Sequence, residues 1–326
     1  MFEHLLPDLM PLQLTLAGTV FSFIAAFFVL STCKFILPMD HGRAFAVDGD
    51  KSKGKPTGAG ILFISVFFVS SLLFIPYRFE YLLYYLLMEA AMIAGYLDDG
   101  SKHPWSEYKK GLIDLAISFV ASFTFCMYSS REIFFPILGD QVTLPFPVYL
   151  ILGTIFVWVS INAFNCTDGV DGLSASLAIV SNISICIFAV MIGTSNDWTG
   201  TLFIMTAVLI PYLWFNTSPS QLLMGDAGSR SIGLFLAISI MQAGQPLLYL
   251  IFCFVIIADG MAGITKIFLK RFLHISILKN TITPFHDHCR KKAGWSNQQV
   301  TNRATIIQIA ISFTYMAFVY IVKIAS

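Results

Sequence analysis

Apolar runs close to a bilayer's thickness recur along the whole chain, at about 12–37, 58–76, 79–97, 111–128, 147–164, 173–192, 200–216, 229–244, 247–265 and 304–323. Backbone groups inside lipid must be satisfied within the segment, so these runs read as helices and not as open sheet. With 56% hydrophobic residues over 326 positions and a mean hydropathy of +0.75, the chain carries more apolar surface than a soluble core can hide. The expectation is an all-α, polytopic integral membrane protein of about ten transmembrane helices, one domain over residues 1–326.

The net charge of +1 says nothing about nucleic acid, and no other feature of the sequence suggests a nucleic-acid partner. The placement of Lys and Arg is more informative. With the acidic N-terminus (Glu3, Asp8) outside, the inner loops hold Arg43, Lys51, Lys53 and Lys55, then Lys102, Lys109 and Lys110, then Arg230, and finally Lys266 to Arg303. Only Arg78, Arg131 and Lys323 fall outside, and Lys34 lies inside the first run. By the positive-inside rule both termini are extracytoplasmic. No basic segment with a small-residue cleavage site precedes the first run, so no removed signal peptide is expected. The six cysteines show no metal spacing, and no disulfide is expected.

In this topology the polar motifs gather on one face. AGYLDDGSK (94–102) ends the third run with two adjacent carboxylates, Asp98 and Asp99, which repel unless water or a cation relieves them. NAFNCTDGVDGLS (162–174) places Asn162 and Asn165 on one helix face, followed by Asp168 and Asp171 among glycines. WFNTSPSQLLMGDAGS (214–229) carries Asp226 at a helix start, where backbone N–H groups can receive phosphate oxygens. TPFHDHCRKKAGW (283–295) puts His286 and His288 among basic residues, and KSKGKPTGAG (51–60) is a basic loop before the second run. Each has a plainer reading: a solvated helix end, a polar turn, a helix cap, or a basic loop on anionic lipid. Together they suggest carboxylates gathering Mg²⁺, which prefers oxygen ligands plus substrate phosphates, beside a basic rim for a phosphorylated donor. The competing class is an ion-coupled transporter, which would place its polar groups near the midplane in paired halves. Asp259, inside the ninth run, is the exception to the one-face gathering and reads as buried near the active face, with its role open.

KGKPTGAG, YLDDGSK, NAFNCTDGVDGL, WFNTSPSQLLMGDAGS and PFHDHCRKKAGW, in this order over most of the chain, resemble the polyprenyl-phosphate N-acetylhexosamine-1-phosphate transferases. PFHDH followed by KKAGW is most similar to the branch that transfers phospho-N-acetylmuramoyl-pentapeptide, while a branch using UDP-GlcNAc is the alternative. The resemblance implies transfer from UDP-MurNAc-pentapeptide to undecaprenyl phosphate, giving lipid I and UMP. It also implies ten helices, Mg²⁺ dependence, a site on the cytoplasmic face of the bacterial inner membrane, and often a homodimer.

The same resemblance implies Asp226 as Mg²⁺ ligand, and Asp98 and Asp99 at the acceptor phosphate with one as candidate base. His286 joins them as a catalytic candidate. Asn162, Asn165, Asp168 and Asp171 would line the nucleoside and sugar-phosphate side, and Asn216 and His288 would meet the diphosphate or sugar. Lys55, Thr57 and Lys102 would contact phosphate or nucleotide. Three residues depart from the family pattern: Asp287 for a histidine, Leu223 for an aromatic, and Gly100 for a tyrosine.

Overall fold

The computed structural model describes residues 10–40, 42, 52–101, 103, 105–135 and 140–325. Every expected apolar run within them is helical. The helices are α1 (Pro11–Thr32), α2 (Gly60–Phe74), α3 (Phe79–Asp99), α4 (Glu107–Tyr128), α5 (Phe146–Thr167), α6 (Leu173–Ile192), α7 (Trp198–Asn216) and α8 (Gly225–Gln242). The ninth run is in pieces, α9 (Tyr249–Phe252), α10 (Phe254–Ile256) and, after a π-helical turn over Ile257–Met261, α11 (Ala262–Phe272). A short α12 (Phe285–Ala293) and the long α13 (Asn297–Ala325) follow. Among the described residues six helices, α1, α4, α5, α6, α7 and α13, are long and apolar enough to cross a membrane, or seven with the bent ninth run. Leu12, Leu16, Ile24 and Phe28 on α1 and Phe313, Ile321 and Ile324 on α13 stay exposed, as lipid-facing side chains would.

Three features differ from the expectation. The ninth run bends by 80° instead of continuing straight. The break at Cys253 carries neither Pro nor Gly, but distant side chains satisfy the backbone around it. Gln308 accepts from the Val255 N–H at 3.0 Å and donates to the Ile251 carbonyl at 2.9 Å, and Ser181 Oγ donates to the Phe252 carbonyl at 2.6 Å. Second, Glu132–Phe135 and Asp140–Thr143 pair as a two-stranded antiparallel hairpin, β1 and β2, so the fold is helical but not purely so. Third, α1 stops at Thr32, leaving Lys34 beyond the helix.

At the centre is α8, with nearly every residue from Gly225 to Met241 buried against α2, α3, α5 and α6. Its start is approached so closely that side chains are excluded. A Cβ on Gly60 would lie 2.0 Å from Gly228 N, and one on Gly95 would lie 2.3 Å from the Asp226 carbonyl carbon. The motif AGYLDD therefore needs its glycine to bring α3 against the start of α8. At the far end of the bundle Glu80 Oε1 accepts from Tyr84, Ser129 and Gln242, and Arg78 pairs with Asp197 at 2.7 Å.

Candidate active site

The ends of α3, α5 and α7 and the starts of α4 and α8 meet at the end of the bundle opposite Glu80. Ser106 caps α4 by accepting the Lys109 N–H, and one turn further Lys110 extends to two carboxylates. Its Nζ is 2.5 Å from Asp98 Oδ2 and 3.3 Å from Asp226 Oδ2. Asp98 also accepts the Trp105 N–H at 2.7 Å. Asn165 Nδ2 donates to Asp226 Oδ1 at 2.9 Å and to Ser229 Oγ at 2.8 Å. Asp99 takes the backbone N–H groups of Asp226 and Ala227 at 3.1 and 3.2 Å, so α3 caps the start of α8. The adjacent Asp98 and Asp99 and the distant Asp226 thus lie within one hydrogen-bonded cluster. Asp98 and Asp226 are only 7% and 6% exposed, where charges interact strongly.

Two cavities flank this cluster. The smaller, of about 300 Å³, is lined by Glu107, Lys110, Asp114, Asn162, Asn165, Asp226 and Arg230. The larger, of about 660 Å³, has Lys55, Thr57, Asp168, Asp171, Asn216 and Arg290 in its wall. Gly225, beside Asp226, belongs to the larger wall, so the two cavities adjoin at the start of α8. Within the larger cavity Ser174 holds Asp168 at 2.5 Å, the Ser220 N–H reaches Asp171 at 3.2 Å, and Lys55 Nζ meets Ser220 Oγ at 3.0 Å. Asn216 braces the loops by accepting the Gly172 N–H and donating to the Leu222 carbonyl, each at 2.8 Å. Asn162 donates to the Trp158 carbonyl of its own helix at 2.9 Å.

The two histidines stand behind the cavity walls. His286 is buried on α12 and lines neither cavity. Its Nδ1 and backbone N–H meet Asp259 at 2.7 and 2.6 Å, and its Nε2 abuts Gly169. Asp259 is thus buried beside the site, as its position suggested, and fixes α12 beneath the TDG loop. His288 Nδ1 accepts the Ile282 N–H at 3.2 Å. Asp287 sits 3.5 Å from Arg290 Nη1. Burial, helped by Asp259, raises the Cys289 thiol above its ordinary pKa, which keeps it protonated at neutral pH and a poor nucleophile. Lys102 lies outside the described residues.

Three charged groups at the site were not singled out from the motifs: Lys110, Asp114 and Arg230. Lys110 reads as one of two adjacent basic loop residues. The signal available for Asp114 is a lone acid four residues further on, inside an apolar run, and for Arg230 a lone base four residues after Asp226. Among the described residues no three His, Cys, Asp or Glu side chains are placed to hold a metal by themselves. Asp98 and Asp226 do converge on one cation, at present the Lys110 ammonium. One or two carboxylates with substrate phosphates completing the shell is a set Mg²⁺ accepts.

The sequence profile described as glycosyl transferase family 4 matches residues 81–244. A phospho-N-acetylmuramoyl-pentapeptide-transferase of Treponema pallidum (strain Nichols) is 36% identical over 304 residues, covering 88% of this chain and 84% of that protein. Similarly named proteins of Caldanaerobacter subterraneus subsp. tengcongensis and of the Wolbachia of Brugia malayi are 28% and 27% identical, over 93% and 82% of this chain and 98% and 85% of their own.

Proposed function

The chain belongs to glycosyl transferase family 4, with the phospho-N-acetylmuramoyl-pentapeptide-transferases as its relatives, and from that premise we propose the reaction it runs at this site. It is a membrane transferase that moves phospho-MurNAc-pentapeptide from UDP-MurNAc-pentapeptide to a polyprenyl phosphate, undecaprenyl phosphate in the full reading, and releases UMP. The observation that supports this best is the convergence of Asp98 and Asp226 on the Lys110 ammonium, with Asn165 bound to Asp226, between two cavities. The larger cavity suits a nucleoside diphosphate, with Lys55 and Arg290 toward its charges and Asp171 toward the base edge.

An oxygen of the lipid phosphate attacks the sugar-linked phosphorus. The bond from that phosphorus to the bridging oxygen breaks, and UMP leaves with the electron pair. A phosphate monoester has a second pKa near 6, so the acceptor arrives mostly dianionic and needs little help from a base. Positioning and charge neutralisation carry the rate. Lys110 is the chain's own cation for the phosphoryl oxygens, and Asn165 orients Asp226. Asp226, with Asp98 beside it, would hold Mg²⁺, which when bound neutralises diphosphate charge. His286, clamped by Asp259, shapes the loop that carries Asp168 and Asp171.

The ten apolar runs support ten crossings, and the distribution of basic loops supports a cytoplasmic site and outward termini. The test supplies purified protein, Mg²⁺ and undecaprenyl phosphate with either UDP-MurNAc-pentapeptide or UDP-GlcNAc and follows UMP. Release with the first donor is expected. Release with the second alone would reassign the donor, and release with neither would overturn the reaction.

A further inference from the structure

Arg230 and Asp114 form an ion pair at 3.0 Å with both side chains nearly sealed from solvent, at 2% and 3% exposure. Pairs this deep add little stability over apolar residues of the same size, so their presence calls for another reason. Their position supplies one. Arg230 stands four residues after Asp226 on α8, and Asp114 four residues after Lys110 on α4. Residues four apart share a helix face about one turn apart. Two rungs of opposite charge therefore join α4 to α8, with Lys110–Asp226 at 3.3 Å above and Asp114–Arg230 at 3.0 Å below. The signs alternate around the four charges, so each carboxylate has a cation across the gap and another along its own helix. All four line the smaller cavity, and Arg230 Nη1 and Asp114 Oδ1 are buried there without a hydrogen-bond partner.

We propose that the Asp114–Arg230 pair positions the reactive rung: it sets the register of α4 against α8, and so where Lys110 and Asp226 stand. This rests on the reaction proposed above. Substrate phosphates must draw Lys110 partly away from Asp226. The lower rung keeps the two helices in register while the upper one exchanges partners. Arg230 and Asp114 act through Asp226 and Lys110 and touch no reacting atom. They are positioning residues.

The test compares the purified full-length protein with the double variant Asp114→Leu/Arg230→Met, which removes both charges together and leaves neither one buried alone. Melting temperature reports folding, and steady-state UMP release separates kcat from the donor KM. Modification of Lys110 by an amine reagent, read by mass spectrometry, reports the upper rung without any turnover. The expected double variant melts near the wild-type temperature, keeps its donor KM, and loses kcat by at least about tenfold because the reacting groups shift. Its Lys110 is modified several-fold faster. A folded double variant with wild-type kcat and wild-type Lys110 modification would overturn the proposal.

If that variant does not fold, Arg230→Lys, which keeps the charge, is compared with Arg230→Met. Partial retention of kcat and slow Lys110 modification in the lysine variant alone supports positioning, and equal behaviour of the two overturns it. Should the wild-type chain release no UMP, the reaction assignment fails, and the Lys110 modification rate still decides the positioning role.

Discussion

Asp99 accepts the backbone N–H of Asp226 at 3.1 Å, so the last residue of α3 holds the first turn of α8. Its other oxygen takes the next N–H, from Ala227, at 3.2 Å. Loss of such a cap costs about 0.5–2 kcal/mol. Asp99→Ala and Asp99→Asn are both expected to lower the melting temperature as well as UMP release. A residue acting only as a base would leave the melting temperature unchanged, so melting curves beside rate assays separate the two roles.

His286 and Asp259 are expected to behave as one unit. Removing either leaves a buried polar partner unsatisfied, at a cost of about 1–3 kcal/mol. Asp259→Ala, His286→Ala and the double variant form a cycle. Non-additive loss of stability, with the double variant little worse than each single, is the expected outcome. Additive losses would mean that the 2.7 Å contact does not couple them.

Gly60 and Gly95 admit α8 so closely that any side chain meets backbone. Gly60→Ala and Gly95→Ala should each destabilise by about 1–3 kcal/mol or more, since overpacking against backbone has no side chain to move aside. Gly111 has nothing within 4 Å of a built Cβ, so Gly111→Ala serves as the tolerant control in the same thermal-melt series.

Topology can be read from vesicles. Lys292, on α12 at the site end, and Gln141, on the β-hairpin at the other end, are both exposed. A membrane-impermeant maleimide is expected to label Lys292→Cys only in inside-out vesicles and Gln141→Cys only in right-side-out ones. The opposite pattern would invert the proposed orientation.

Much of this site is legible in the sequence because topology does the gathering. Once the apolar runs are helices, Asp98, Asp168 and Asp226 must fall at one end of the bundle. Contacts that depend on depth and rotation are not legible. Lys110 looks like loop charge until α4 is seen to begin at Glu107 and turn it inward. Arg230 and Asp114 are 116 positions apart, and nothing local says that they face one another. The bend at Cys253 is hidden for a similar reason: Gln308 and Ser181, from other helices, supply the hydrogen bonds that permit it. The histidine motif carries its residue types plainly, but the burial of His286 follows from Asp259 and Gly169.

The most direct measurement uses Mn²⁺, which shares the octahedral oxygen preference of Mg²⁺. With UDP-MurNAc-pentapeptide bound, electron–nuclear spectroscopy of the wild-type protein should show Mn²⁺ coupled to donor phosphorus. In Asp226→Asn, folded by its melting curve, that coupling should vanish together with UMP release. A folded Asp226→Asn that keeps both the phosphorus coupling and near-wild-type turnover would contradict a metal held by Asp226 at the centre of the site.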